Sequence, residues 1–130
     1  MRPEEQAQIQ LVEWADMWFR TQHPEYMMTY EDGSKIAPLI AIPNEGKRSP
    51  QLGKKMKRMG LRPGFHDLML LVASGGYRGL IIEMKIKPNT VNPNQRAWAA
   101  WYIKNNYKSA VCWSFDEAKN AIEKYMRGVF

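Results

Sequence analysis

The chain has 130 residues, of which 45% are apolar and 25% are charged, values that are typical of a single soluble globular domain. Its single cysteine excludes an internal disulfide and suits a reducing compartment such as the cytoplasm. One cysteine and two histidines are too few for a structural zinc site, and no apolar run is long enough to cross a bilayer. The net charge of +6 favours an anionic partner, of which nucleic acid is the commonest.

The first part of the chain is predicted to hold one long helix and one short strand. Apolar residues recur at helical spacing through residues 3–22, and Pro24 ends this pattern. Residues 36–42 are apolar enough for a strand. Pro38 lies near its start, which favours an edge strand or a bulge.

A short basic helix is predicted next. Ser49 followed by Pro50 is typical of a helix start, and Gly60 is a typical stop. We expect its apolar face to dock on the core while its charges point outward. That face comprises Leu52, Met56 and Met59.

The second part of the chain alternates strands and helices. Residues 67–72 and 78–86 are predicted strands joined by a Ser-Gly-Gly turn. A helix runs from Asn92 to about Asn106, a strand covers residues 109–114, and a capping box at Ser114 opens the last helix. This order predicts an α/β sheet with helices on its faces.

Positive charge is concentrated in residues 46–66, which contain no acidic residue. This stretch predicts a contact with DNA phosphates, although a merely solvated basic surface is the alternative. Its basic residues are Lys47, Arg48, Lys54, Lys55, Lys57, Arg58 and Arg62.

The stretch "LIIEMKIK" (80–87) carries Glu83 and Lys85, two places apart, within a run of strand-forming apolar residues. Because side chains alternate, its even-numbered residues form an apolar core face, while Glu83 and Lys85 share the other face with Ile81. If the glycine turn makes a hairpin, Asp67 lies opposite Glu83. A surface ion pair at Glu83 and Lys85, with Asp67 as a turn residue, is the plainer alternative.

Two carboxylates about 5 Å apart repel by roughly 3 kcal/mol at an effective dielectric constant near 20. A shared proton or a cation must offset that repulsion. Hard carboxylate oxygens favour Mg²⁺ or Mn²⁺ as the cation.

These residues resemble the PD-(D/E)xK nuclease signature, and the wider pattern resembles the VRR-NUC (virus-type replication-repair nuclease) family within it. The resemblance covers nearly the whole chain. Its motifs are "E…Q…LVEW" in the first helix, "IPNEGKRS" at 42–49, "G-x-x-D" at 64–67, "IIEMK" at 81–85 and Gln95 in "PNQRAW". The family usually has proline before the aspartate, where this chain has His66, which either fills the turn or contacts a phosphate.

The resemblance implies a restriction-endonuclease-like fold with a mixed central sheet, and it implies metal ligands. Asp67, Glu83 and the backbone carbonyl of Met84 would hold a divalent metal, and Glu4 would complete the site directly or through water. Glu5 is the alternative to Glu4, because one residue of register decides between them.

The resemblance also implies roles for polar residues around the metal. Lys85 would orient or deprotonate the attacking water and stabilise charge on the phosphate. Gln95 would orient Lys85 or the substrate, unless it only caps the helix that begins near Asn92. Asn44 and Lys47 would support the site or the DNA backbone.

The implied activity is metal-dependent hydrolysis of DNA phosphodiester bonds by a single domain covering residues 1–130. Small members of the family resemble dimeric, phage-encoded enzymes that act on four-way (Holliday) junctions, whereas larger relatives act on flaps. A flap or non-selective nuclease and a non-catalytic DNA-binding protein are the alternatives. Aromatic residues of the third helix are expected in the core or in a subunit contact rather than under stacked bases, with the C-terminal pair as a further contact. These residues are Trp98, Trp101, Tyr102, Val129 and Phe130.

Overall fold

The computed structural model describes residues 1–42 and 49–130. Four α-helices lie in these ranges: α1 (Pro3–Gln22), α2 (Pro50–Arg58), α3 (Pro93–Lys104) and α4 (Phe115–Met126). The strands are β1 (Met28–Thr29), β2 (Lys35–Ile36), β3 (Leu39–Ala41), β4 (Leu68–Leu70), β5 (Leu80–Met84) and β6 (Lys108–Cys112). The order of the main elements confirms the predicted mixed α/β fold.

The main sheet contains four strands in the order β3-β4-β5-β6. Strand β4 is antiparallel to both β3 and β5, and the predicted glycine turn at 74–76 lies between β4 and β5. Strands β5 and β6 are parallel, and α3 makes the crossover between them. The central position of β5 explains why all five of its residues are buried.

One face of the sheet packs against α1 and α4. Leu80, Ile82 and Met84 of β5 join the buried cluster, as the alternation of side chains predicts. The helices contribute residues at helical spacing, among them Leu11, Ala15, Phe19, Ala118, Ile122 and Tyr125. The opposite face, which carries Ile81 and Glu83, is covered by α3.

The strands are shorter than the sequence predicts, for a local reason at residues 36–42. The Ala37 N–H donates to the Asp16 carboxylate of α1 at 2.8 Å instead of extending a strand ladder. The predicted strand is therefore divided into β2 and β3. Strand β3 is an edge strand in the described part of the chain, in agreement with the position of Pro38.

A two-stranded hairpin of β1 and β2 was not predicted. It turns at Asp32-Gly33, where Gly33 has a φ of +89° and Asp32 accepts a hydrogen bond from the Ser34 N–H at 2.9 Å. An Asp-Gly pair is a strong hairpin signal, so this element was available from the sequence.

Helix α2 has the predicted ends but not the predicted packing. The Ser49 side chain caps it, and Gly60 follows it with a φ of +107°. None of its residues is buried, and Leu52 and Met59 remain 46% and 76% exposed. The prediction that α2 docks on the core is wrong, because an apolar stripe requires a facing surface, and no described residue supplies one.

None of the helices within the described ranges combines the length and apolar character that crossing a membrane requires.

Candidate active site

Asp67 and Glu83 are brought together by the register of β4 and β5. Leu68 pairs with Ile82, so Asp67, one residue earlier, lies opposite Glu83. Directly opposed residues of antiparallel strands have Cβ atoms about 5 Å apart. Backbone contacts hold Asp67 in place: its Oδ2 accepts from the Met84 N–H at 3.0 Å, and its carbonyl accepts from the Ile42 N–H at 2.8 Å.

Glu83 is a buried carboxylate, with only 1% of its surface exposed. Gln95 Nε2 donates to its Oε1 at 2.5 Å, and Lys85 Nζ lies 3.7 Å from the same oxygen. A buried charge is costly unless it is paired and hydrogen-bonded. Glu83 is therefore fixed in one orientation, and the plainer interpretation of an exposed surface ion pair does not apply.

Gln95 caps α3, which was one of the two roles predicted for it, and its side chain also binds Glu83 rather than Lys85. Its backbone N–H donates to Asn92 Oδ1 at 2.9 Å, and its Oε1 accepts from the Asn92 N–H at 3.0 Å, which completes a capping box for α3. Its Nε2 is left to bind Glu83. The start of α3 and the orientation of Glu83 are thus fixed by one side chain.

Lys85 follows β5 directly and remains attached to the sheet, because its N–H donates to the Cys112 carbonyl at 2.9 Å. Its side chain is mostly buried, and its amine reaches Glu83. When all three are ionised, Asp67, Glu83 and Lys85 carry one excess negative charge. The site therefore favours a further cation.

Asp67, Glu83 and Gln95 line a cleft of about 320 Å³. Lys57 of α2, the loop 61–65 and the first turn of α3 complete its walls. Gly64 makes this loop possible: its φ is +79°, and a Cβ there would lie 2.5 Å from Asn94 Cβ and 2.8 Å from the Gln95 nitrogen. The loop thus contacts the backbone of α3 directly beside Gln95.

His66 fills the turn before Asp67. It is 1% exposed, and its ring lies edge-on to Tyr102 at 5.2 Å. Burial, with a smaller effect from the nearby Lys85 charge, lowers the pKa of His66 from 6.5 to about 4. A buried, neutral imidazole does not contact a phosphate, so of the two predicted roles for His66 the structure favours the packing role.

The two acids of the first helical turn point to different partners. Glu4 Oε1 accepts from Asn89 Nδ2 at 2.9 Å, so this side chain is oriented toward the segment that follows Lys85. Glu5 instead pairs with Arg2 at 2.9 Å, a contact that lowers the pKa of Glu5. This geometry favours Glu4 over Glu5 as an acid near the site.

The donor set is suited to a hard divalent cation. Within residues 1–42 and 49–130, no three His, Cys, Asp or Glu side chains are close enough together to hold a metal ion, so Glu4 does not join the carboxylate pair directly. Mg²⁺ is commonly bound through one or two carboxylates with water and substrate phosphate as the remaining ligands. Asp67 and Glu83, with the excess negative charge of the trio, fit that requirement.

Four of the predicted basic residues lie on α2, the helix that contributes Lys57 to the cleft. Lys54, Lys55, Lys57 and Arg58 are exposed on α2, and Lys57 lines the cleft itself. Arg62 is exposed on the loop that leads to Gly64. Asn44, Lys47 and Arg48 lie outside the described residues.

Two residues near the site were not assigned a role at the site from the sequence. Asn89 contacts Glu4, and the Trp98 indole N–H donates to the Pro63 carbonyl at 3.1 Å, which ties α3 to the loop 61–65. Asn89 carries no recognisable signal. Trp98 does carry a recognisable signal, because the indole N–H of a partly buried tryptophan usually finds a hydrogen-bond acceptor.

The fold and the site agree with comparisons to known proteins. The VRR-NUC domain family matches residues 2–116. A solved structure described as a "VRR_NUC domain protein" is similar over 98% of this chain and 95% of its own chain, with a TM-score of 0.72 and 22% sequence identity, which supports the restriction-endonuclease-like fold alone. No curated protein matches the chain. Nucleases of this family generally depend on a divalent metal. The chain therefore belongs to the VRR-NUC domain family and is a nuclease of the PD-(D/E)xK type.

Proposed function

We propose that the protein is a metal-dependent, structure-selective DNA endonuclease that hydrolyses phosphodiester bonds in branched DNA, with four-way junctions as its preferred substrate. The observation that carries the proposal is the Asp67–Glu83 pair with Lys85 Nζ 3.7 Å from Glu83, in a cleft beside a basic helix. DNA binding alone requires no carboxylate pair next to a phosphate site. This argues against a non-catalytic DNA-binding protein.

Asp67, Glu83 and the Met84 carbonyl would hold Mg²⁺ or Mn²⁺, with Glu4 contributing from α1 through water. A divalent cation bound there would supply an acidified water and charge neutralisation at the scissile phosphate. The protein supplies the orientation, because Gln95 and the Met84 N–H each fix one of the two carboxylates.

We propose that Lys85 acts on the phosphate and the attacking water. Its amine lies 3.7 Å from Glu83, which lines the cleft, and from there it would donate hydrogen bonds to a water molecule and stabilise the negative charge that builds on the phosphate oxygens.

We expect the basic face of α2 to bind the DNA backbone. Replacing Lys54, Lys55, Lys57 and Arg58 together by glutamine should weaken binding to every DNA. It should also reduce the slope of the logarithm of the binding constant against the logarithm of the salt concentration, by about 0.9 for each phosphate contact that is lost. Fluorescence anisotropy at several salt concentrations measures the slope. The control replaces four exposed basic residues that do not line the cleft: Arg20, Lys104, Lys124 and Arg127. Equal slopes for the two variants would show that α2 is only a solvated surface.

We also propose that the enzyme acts as a homodimer. One domain carries one set of catalytic groups, whereas resolving a junction requires two cuts with two-fold symmetry, which a dimer supplies. Tyr102 was predicted to lie in the core or in a subunit contact; it is 1% exposed, so it lies in the core and does not contribute to the contact. Val129 and Phe130 remain half-exposed near β6, an edge strand in the described part of the chain, and could contribute to it.

The test of substrate and assembly compares labelled four-way junction, flap and linear duplex DNA with Mg²⁺ or Mn²⁺. We expect paired, symmetric nicks on the junction, faster than any cut on linear duplex, and light scattering should give the mass of a dimer. Faster cutting of the flap would favour the flap nuclease, and equal rates on all three would favour a non-selective nuclease. A monomeric protein whose cut positions have no two-fold relation would contradict the homodimer and the junction preference, and would support only a general nuclease activity.

The lone cysteine, which is buried, suits action in the reducing cytoplasm of a bacterial host, in keeping with the phage origin that the family resemblance favours.

A further inference from the structure

A second recess, of about 420 Å³, adjoins the catalytic cleft on the surface of α3. Pro63 and Asn94 line both spaces, so the recess and the cleft share a wall. Ala97, Trp98 and Trp101 form the remainder of the recess. No acidic side chain lines this recess among the described residues.

The aromatic side chains of α3 differ in how they are used. Tyr102 is buried against Phe65 and His66, as expected for a core residue. Trp98 is tied to the Pro63 carbonyl and stacks on Tyr102. Trp101 is 47% exposed and forms the outer side of the recess. The sequence-based expectation assigned all three to the core or to a subunit contact; Tyr102 agrees with the core alternative, whereas Trp101 is not a core residue.

The chemistry of the recess matches a nucleobase. A base has apolar faces, which stack on aromatic rings, and polar edges, which bind amides. The recess offers the indole of Trp101 and, on its shared wall, the carboxamide of Asn94. A paired base remains stacked inside its duplex, so only an unpaired base can enter.

A second copy of the chain is the other conceivable occupant. A subunit seated on Trp101 would lie against Pro63 and Asn94, which also border the catalytic cleft. It would therefore obstruct the space that the scissile phosphate must enter. Continuity with the cleft favours a part of the DNA itself.

We propose that the recess formed by Pro63, Asn94, Ala97, Trp98 and Trp101 binds one unpaired nucleobase of the DNA whose phosphate lies in the catalytic cleft. The proposal rests on the function proposed above and adds a structural basis for the selectivity of the enzyme for branched DNA. A branch point or an unpaired nucleotide provides such a base, whereas a continuous duplex does not.

The test measures binding without cleavage, in the absence of divalent metal, to a duplex that carries one unpaired 2-aminopurine and to the same duplex fully paired. Stacking should quench the 2-aminopurine fluorescence. Trp101→Ala should lose about tenfold in affinity for the first DNA and remain unchanged for the second. Trp101→Phe should retain most of the preference. Ile103→Ala is the matched control, because Ile103 is an exposed apolar residue of α3 outside the recess.

A second variant, Ala97→Gln, fills the recess without removing a ring and should also reduce the preference. Equal binding of the two DNAs by the wild-type protein would overturn the proposal, even if cleavage is observed. Loss of dimer mass in Trp101→Ala, with the preference intact, would assign the recess to a subunit contact instead. Failure of the nuclease function would appear separately, as absence of cleavage with Mg²⁺ or Mn²⁺ by a protein that still binds the unpaired base.

Discussion

Asp67→Asn and Glu83→Gln should each reduce DNA cleavage by about three orders of magnitude while leaving DNA binding intact or tighter. Each change removes one negative charge that would otherwise hold the metal and repel the phosphate. The amide keeps the shape of the acid. An asparagine oxygen can still accept from the Met84 N–H, and a glutamine oxygen can still accept from Gln95 Nε2.

Three measurements separate these effects. Single-turnover cleavage reports the chemistry, anisotropy without metal reports DNA binding, and calorimetry with Mn²⁺ alone reports the metal site. The control is Glu31→Gln, which neutralises an exposed acid outside the cleft and should leave all three unchanged. Cleavage at the wild-type rate in either site variant would reject the carboxylate pair as the metal site.

The pairing of Asp67 with Glu83 could be predicted because two independent patterns in the sequence agree. The alternation along 80–86 identifies the core face of β5, and the glycine turn sets the register of the hairpin. A slip of one residue would turn Glu83 into the core, so the apolar pattern allows only one solution. The burial of Glu83 was not predictable, because it depends on α3 covering that end of the strand.

Contacts between distant segments were the least predictable. The stripe on α2 shows which side is apolar but not whether a surface faces it, and the structure leaves that side exposed. The contact between Glu4 and Asn89 joins residues 85 positions apart, with no local pattern to indicate it. Gln95 was ambiguous because one side chain both caps α3 and binds Glu83, with different atoms.

Gly64→Ala should damage the site although residue 64 carries no reactive group. Gly64 has a φ of +79°, where an L-residue is strained by about 1–2 kcal/mol. Its new Cβ would also lie 2.5 Å from Asn94 Cβ and 2.6 Å from the Asn94 carbonyl carbon. Since backbone atoms cannot rotate away, either the loop 61–65 or the start of α3 must shift.

Such a shift would move Gln95 away from Glu83 and would displace Asp67, which is separated from the loop only by His66. We therefore expect a free energy of unfolding lower by about 2–4 kcal/mol and a cleavage rate reduced by about a hundredfold in the protein that remains folded. Urea unfolding and single-turnover cleavage at low temperature measure the two effects.

Gly33→Ala is the control that separates the effect of backbone strain from the effect of a steric clash. Gly33 has a similar φ of +89°, but a Cβ there would meet no atom within 4 Å. The strain in this control should lower the free energy of unfolding by only about 1 kcal/mol, and the variant should cleave DNA at the wild-type rate. If Gly64→Ala were no less stable than Gly33→Ala and equally active, the loop would not rest on the first turn of α3, and the position of Asp67 would need another explanation.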